Sequence, residues 1–194
     1  MYDFTACIVT YNTDQKELTQ IIGCFQKIKL KFKLWISDNS EKDTLRNFIK
    51  NLSDDRIEYI FNNSNNGFGS GHNVVLKKLM DDNFKEKAEF HIILNADIIF
   101  EENTIEKMID YMRKNPEIGQ IGPKIYESSG EVNKSCRLLP TPLNLIFRRF
   151  FPIKSIVDKM DYNYEMRWCD YNSIMEVPIL SGCLMFIRTD ILKN

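Results

Sequence analysis

The stretch His91-Ile92-Ile93-Leu94-Asn95-Ala96-Asp97 decides the fold. An uncharged apolar run of this length reads as a strand buried on both faces, and polar residues follow it at once. The pattern recurs along the chain. Ala6–Val9 precedes Thr10-Tyr11-Asn12, Leu34–Ile36 precedes Asp38-Asn39-Ser40, and Ile57–Phe61 stands a few residues before Asn65-Asn66-Gly67-Phe68-Gly69. In an open α/β sheet, ligands bind outside the carboxyl ends of the strands, near the point where strand order reverses. Four polar clusters at four such ends therefore read as one pocket, and the chain as a candidate nucleotide-binding enzyme.

Helical patterns fill the gaps between these strands. Asp14 is a candidate N-cap with Glu17 as its capping-box partner, followed by the stripe Leu18, Ile21, Ile22, Phe25 and Ile28. A second helix carries Leu45, Phe48, Ile49 and Leu52, with Ser40 or Asp43 as its cap. A third starts near Gly69 and runs to about Met80. A fourth starts at Asn103, with Glu106 as box partner and the stripe Ile105, Met108, Ile109 and Met112, and Asn115-Pro116 ends it. A fifth strand is expected over 119–125. This β-α-β-α order predicts a largely parallel sheet covered on both faces. After Glu127 the pattern becomes irregular, and strand-like runs return at 174–179 and 184–187.

With 194 residues the chain fits one domain and is long enough for a sizeable core. A net charge of −1 gives no global attraction to nucleic acid or anionic lipid, and no nucleic-acid partner is expected. No apolar run approaches the roughly 20 residues that span a bilayer, and Met1-Tyr2-Asp3-Phe4 lacks the start of a secretion signal. The five cysteines are odd in number and widely spaced, which reads as buried reduced thiols in a cytoplasmic protein. Residues 143–154, with Arg148 and Arg149 among Leu145, Ile146, Phe147, Phe150, Phe151 and Ile153, form a candidate peripheral contact with the inner face of a membrane, or equally a core helix with a basic edge.

Asp97 at a strand mouth can hold a hard divalent cation whose other ligands are phosphate oxygens and water, or it can simply start the next helix. Asp38 can accept from a base N–H or a ribose hydroxyl, or belong to a turn. Tyr11 can stack on a base or pack. The Asn- and Gly-rich run 62–71 leads into a helix N-terminus that favours anions. Its glycine register, Gly67-x-Gly69-x-Gly71, is not the dinucleotide fingerprint, which argues against a dehydrogenase. His91 reads as structural.

In order and spacing, these clusters resemble the family 2 glycosyltransferases of GT-A fold, in particular the rhamnosyltransferase-like branch that builds bacterial surface polysaccharides. The resemblance runs from about Phe4 to Leu192. It is carried by Ile8-Val9-Thr10-Tyr11-Asn12, Ser37-Asp38-Asn39-Ser40, Asn65-Asn66-Gly67-Phe68-Gly69 with Asn73, Leu94-Asn95-Ala96-Asp97, Gly122-Pro123 and Ser181-Gly182-Cys183-Leu184-Met185-Phe186-Ile187-Arg188. It implies a Rossmann-like α/β/α sandwich around a mainly parallel, mixed central sheet. It implies one domain over 1–194, with a nucleotide-binding half at 1–127 and an acceptor-side half at 128–194.

The activity implied is inverting transfer from a UDP- or dTDP-linked sugar to a hydroxyl of a growing polysaccharide or lipid-linked oligosaccharide. Thr10, Tyr11, Asn12, Asp38 and Asn39 would hold the nucleoside, Asp38 through the base. Gly67 and Asn73 would border the nucleotide. Asn95, Ala96 and Asp97 stand where the family has its D-x-D-like motif, with Asp97 binding Mn2+ or Mg2+ and Asn95 replacing the first carboxylate. Arg137, Ser181, Gly182 and Cys183 would line the sugar and acceptor side. The acidic segment that supplies the family's general base is due just after Asn194, so the resemblance implies a C-terminally shortened domain impaired in transfer. A binding fragment without catalysis and a nucleotidyltransferase are the alternatives. The second is opposed by Thr10-Tyr11-Asn12-Thr13-Asp14, where a glycine-rich basic loop is expected. Self-association is left open.

Overall fold

The computed structural model describes residues 1–142 and 154–193. Its elements are β1 (Tyr2–Thr10), α1 (Gln15–Gln26), β2 (Phe32–Asp38), α2 (Arg46–Asn51), β3 (Ile57–Phe61), α3 (Phe68–Met80), β4 (Ala88–Asn95), α4 (Thr104–Lys114), β5 (Gln120–Ile121), α5 (Lys154–Tyr164) and β6 (Leu184–Arg188), followed by a 3-10 turn at Thr189–Lys193. The six strands form one sheet in the order β3-β2-β1-β4-β6-β5. Strands β1 to β4 run parallel, and β6 runs antiparallel to both β4 and β5. The sheet is therefore mixed but mainly parallel, as the alternating strand and helix patterns require.

Residues adjoining across a sheet share a face, so the two faces can be read from the register. One face carries Phe4, Ala6, Ile8, Phe32, Leu34, Ile36, Phe90, Ile92, Leu94, Leu184 and Phe186, packed on the stripes of α1 and α4. Here the Phe4 and Phe32 rings stack at 5.3 Å, and Phe25 closes on Phe32 at 5.6 Å. Each such ring, fully buried, contributes roughly 1.5–3 kcal/mol. The other face is smaller: Cys7 and Trp35 pack on Val75 and Leu79 of α3. Nearly continuous apolar strands follow from burial on both faces.

The described residues form two compact units, Met1–Ile121 with Gly182 onward, and Gly122–Ser181. The chain leaves the first unit at Gly122 and re-enters it just before β6. The second unit has its own small core of Cys136, Met166 and Tyr171. There the Tyr171 hydroxyl accepts from the Cys136 N–H at 3.0 Å, and the Lys134 ammonium donates to the Cys169 carbonyl at 2.6 Å. Residues 143–153, proposed from sequence to touch a membrane, lie outside the described residues. Among the described residues, no helix is long and apolar enough to cross a membrane.

Local expectations fail in five places. Asn103 precedes α4 with φ 64° and makes no side-chain cap, because a left-handed N-cap does not present its side chain as the usual extended one does. Helix α2 is preceded by Leu45 without a side-chain cap. The Ser40 hydroxyl goes to Asp38, and Asp43 to Arg46 and Tyr59. Strand β5 is only Gln120–Ile121, since Gly122-Pro123 follows and proline has no N–H for a ladder. The run 174–179 supplies one isolated bridge, Arg137 to Ile179. At α1, Asp14 is the cap, but it accepts from the Lys16 N–H.

Two helical glycines make opposite predictions. A Cβ at Gly23 in α1 meets nothing within 4 Å, so Gly23→Ala should stabilise by about 0.5–1 kcal/mol through helix propensity. A Cβ at Gly71 in α3 would fall 2.7 and 2.8 Å from the Val9 methyls. Val9 is stiff at χ1, so overpacking of about 1–3 kcal/mol outweighs the same propensity gain and Gly71→Ala should destabilise. Urea denaturation of both variants checks the pair, and Val9→Ala in the Gly71→Ala background should recover part of the loss.

Candidate functional site

Register brings the polar clusters to one level. Thr10 of β1 pairs with Asp38 of β2, Asp38 with Phe61 of β3, and Val9 with Asn95 of β4. The carboxyl ends of four parallel strands therefore open onto one rim, and the order reverses beside β1, with β2 and β3 added on one side of it and β4 on the other. The Asn95 N–H donates to the Cys183 carbonyl at 3.0 Å, which brings the Gly182-Cys183 entry to β6 onto the same rim.

Beneath the rim lies a polar network. The Ser37 hydroxyl donates to the Gly71 carbonyl at 2.9 Å and accepts from the Asn62 amide at 2.9 Å. Asn62 also donates to the Asn39 Oδ1 at 2.8 Å, and the Asn39 amide donates to the Gly67 carbonyl at 3.1 Å. These bonds pin the loop before α3 to the ends of β2 and β3. Gly67 caps α3 at φ 86°, a backbone that side chains disfavour, and makes no side-chain cap. The first-turn N–H groups of α3 are left for solvent or an anion.

Individual residues divide into exposed and buried. Tyr11, Asn12, Gly67, Asn73, Asp97 and Gly182 are exposed, and Asn95, Ala96 and Cys183 are half-buried. Thr10 is buried, and its hydroxyl has no hydrogen-bond partner. Asn39 is buried within the network described. Asp38, expected to hold the nucleoside through its base, lies within a hydrogen-bonded cluster. It is fully buried, with Oδ1 accepting from the Ser40 N–H at 3.0 Å and the Ser40 hydroxyl at 2.5 Å, and Oδ2 accepting from the Tyr59 hydroxyl at 2.7 Å. The carboxylate has no exposed surface, so a base reaches it only if the residues around it move.

Arg137 and Ser181 belong to the second unit. The Arg137 guanidinium donates to the Lys134 and Cys136 carbonyls and pairs with Glu165 at 4.0 Å, so it is engaged in holding its own unit together.

Asp97 lies in the turn just past β4. Among the described residues no cluster of three or more histidine, cysteine or acidic side chains is arranged for a metal. A single exposed carboxylate fits a cation carried in by phosphate oxygens, with the rest of its shell from phosphate and water.

Two histidines sit behind the rim. His91 of β4 is fully buried on the face of Thr5, Cys7 and α3, and its Nδ1 lies 2.8 Å from the Thr5 hydroxyl. His72 of α3 is buried against Phe68, ring centroids 4.4 Å apart, and neither ring nitrogen has a partner. Burial pushes His72 down to about 4. Burial and then the charge of His72 push His91 down to about 3. Both are neutral at ordinary pH.

The sequence reading missed Tyr59, Asn62 and the structural use of Ser40. The available signal was the position of Tyr59 near the end of β3, where an aromatic ring ends in a polar tip beside the ligand rim.

The family model for glycosyl transferase family 2 matches residues 5–193. The chain belongs to glycosyltransferase family 2. Among curated relatives of this family 2 chain is the low-salt glycan biosynthesis hexosyltransferase Agl10 of Haloferax volcanii, 26% identical over 147 residues, covering 75% of this chain and 43% of that protein. Among solved structures, the mannosyltransferase PcManGT from Pyrobaculum calidifontis, in complex with GDP-Man and Mn2+, superposes with TM-score 0.60 at 14% identity, covering 99% of this chain and 46% of that one. The S. aureus TarS 1–349 structure gives TM-score 0.55 at 16% identity, with 98% and 48% coverage. The chain thus spans under half the length of each. These likenesses establish the GT-A fold of the family 2 chain.

Proposed function

We propose that this chain forms the donor-binding part of an inverting glycosyltransferase that moves a hexosyl group from a nucleoside diphosphate sugar to a hydroxyl of a growing glycan or lipid-linked oligosaccharide. The observation that carries the reading is the convergence of Thr10–Asn12, Asn65–Gly69 and Asn95–Asp97 on one rim, with the partnerless Thr10 hydroxyl buried at its edge. Membership of family 2 and the hexosyltransferase relative support the transfer chemistry.

In this reading, Tyr11 and Asn12 take the nucleoside, while Gly67, Asn73 and the open N-terminus of α3 border the diphosphate. Asn95, Ala96 and Asp97 form the metal side, with Asp97 holding Mn2+ or Mg2+. When bound, that ion neutralises charge on the departing diphosphate. Gly182 and Cys183, at the entry to β6, line the sugar. The acceptor oxygen attacks the anomeric carbon as the bond to the diphosphate breaks, and the bonding electron pair leaves on the phosphate oxygen. The acceptor proton passes to a base.

Calorimetric titration with UDP, dTDP, GDP and NAD, each with and without Mn2+, tests the donor site. GDP belongs in the set because the mannosyltransferase neighbour is in complex with GDP-Man and Mn2+. Mn2+-dependent binding of one nucleoside diphosphate and none of NAD is the expected result. Failure of all three nucleoside diphosphates to bind in the presence of Mn2+ overturns the reading.

A further inference from the structure

The two edges of the sheet differ. At one, β5 is two residues long and Pro123 stands just beyond it, so the edge is short and ends near a residue without an N–H. At the other, β3 runs five residues, Ile57-Glu58-Tyr59-Ile60-Phe61, with no proline and no lysine. Its single charge, Glu58, is paired with Lys33 at 3.3 Å and Lys78 at 3.6 Å. Neither a proline nor an unpaired charge guards this edge against another strand.

The ladder shows which backbone groups the edge presents. The Leu34 N–H donates to the Arg56 carbonyl at 2.8 Å, and the Asn62 N–H donates to the Asp38 carbonyl at 2.8 Å. In a parallel pair, alternate residues carry the bonds to the neighbour. Arg56, Glu58, Ile60 and Asn62 therefore turn their backbone toward β2, and Ile57, Tyr59 and Phe61 turn theirs outward. The Ile57 N–H is taken by the Asp54 carbonyl at 3.0 Å. Among the described residues, the Tyr59 and Phe61 backbone groups and the Ile57 carbonyl have no such partner.

This edge is complementary to itself. A two-fold axis beside Tyr59 sets β3 antiparallel to its own copy. Tyr59 then exchanges both backbone bonds with Tyr59 of the copy, and the Phe61 N–H meets the free Ile57 carbonyl in each direction. The same register sets Glu58 opposite Ile60 and Arg56 opposite Asn62, so no like charges oppose each other across the pair. Beyond the strand ends, Asp54 and Asp55 of one copy turn toward the uncharged run Asn62–Asn66 of the other.

Charge also speaks for a copy over a strongly acidic or basic peptide. A groove of about 580 Å3 flanks β3 and α2, and its charged lining is balanced: Lys33, Arg46 and Lys50 against Asp54, Asp55 and Glu58. Such a lining selects neither sign, and it meets its own copy without net repulsion.

We propose that the chain forms a two-fold dimer in which β3 pairs antiparallel with β3 of a second copy about Tyr59, joining the two sheets into one. The carboxyl ends of the two sets of parallel strands then point in opposite directions. The proposal does not depend on the donor-site reading.

Sedimentation equilibrium over a concentration series tests it, together with amide hydrogen exchange on the wild-type chain. The expected result is a monomer–dimer equilibrium, with protection of the Tyr59 and Phe61 amides rising as the dimer forms. Ile60→Glu sets a like charge against Glu58 of the copy, whereas Ile60→Lys sets an opposite one. Both lose the same Ile60 packing, so Ile60→Glu should dimerise at least about tenfold more weakly than Ile60→Lys. Phe61→Pro removes an outward N–H that the chain's own ladder does not use. It should dimerise about tenfold more weakly than Phe61→Ala, which loses the ring and keeps the N–H.

A monomer at every concentration overturns the proposal. So does a dimer that leaves the Tyr59 and Phe61 amides unprotected, since its interface lies elsewhere. Equal dimer affinities within each pair of variants overturn it as well.

Discussion

Replacing Asp97 by Ala is expected to weaken Mn2+-dependent binding of the nucleoside diphosphate by about a hundredfold, ~2.7 kcal/mol, while binding measured without Mn2+ stays as in wild type. The size follows from the lack of any substitute. Among the described residues no acidic, histidine or cysteine cluster is arranged to take over the ion, and Asn95 offers only a neutral amide. Selectivity for the metal-dependent component follows from where Asp97 sits: in an exposed turn past β4, outside the core and the network under the rim. Its loss should therefore leave the thermal midpoint within a degree or two. Paired titrations with and without Mn2+ measure the effect directly. An equal loss under both conditions means that Asp97 contacts the nucleotide itself and not an ion, and no loss removes it from the site.

Acidification should destabilise the chain well before its carboxylates titrate. His72 and His91 stay neutral in the folded chain down to about 4 and about 3, whereas an unfolded histidine takes up a proton near 6.5. Both folded values are depressed, so their contribution is fully present above about pH 6.5 and is lost as pH falls toward the folded values. By pH 5 the unfolded chain gains about 2 kcal/mol from each histidine, about 4 kcal/mol for the pair. That is a large part of an ordinary domain's 5–15 kcal/mol. Urea titrations between pH 7 and 5 separate this from carboxylate effects, which fall mainly below that range.

His72→Leu should flatten about half of the decline. At pH 7 it should be neutral or stabilising, because both His72 nitrogens are buried without partners and an apolar side chain removes that cost. A pH dependence in His72→Leu as steep as in wild type contradicts the assignment.

The parallel core could be read from sequence because its signals are local. Ile92–Leu94, Ala6–Val9 and Leu34–Ile36 are apolar on both faces, and the stripes of α1 and α4 have helical spacing, so each element announces itself within a dozen residues. The polar clusters could be placed for the same reason, since a strand that ends puts its next residues on the rim. The position of β6 could not be read. Its insertion between β4 and β5 depends on pairing with residues almost a hundred positions away, such as Leu184 with Leu94, and an apolar strand carries no mark of its neighbours.

The fate of Asp38 was hidden for a related reason. An acceptor at a strand end looks exposed until Tyr59 on the next strand and Ser40 beyond it are seen to donate to it. Asn103 misled because its side chain is a good cap by type, while its backbone is left-handed.

The antiparallel pairing of β5 and β6 matters for how such chains diversify. Gln120 faces Ile187 and Ile121 faces Phe186, so the chain departs and returns on neighbouring strands stitched to each other. The residues between, Gly122–Ser181, form a compact unit of their own. A change of length within 122–181 is therefore expected to leave the order of the six strands as it is.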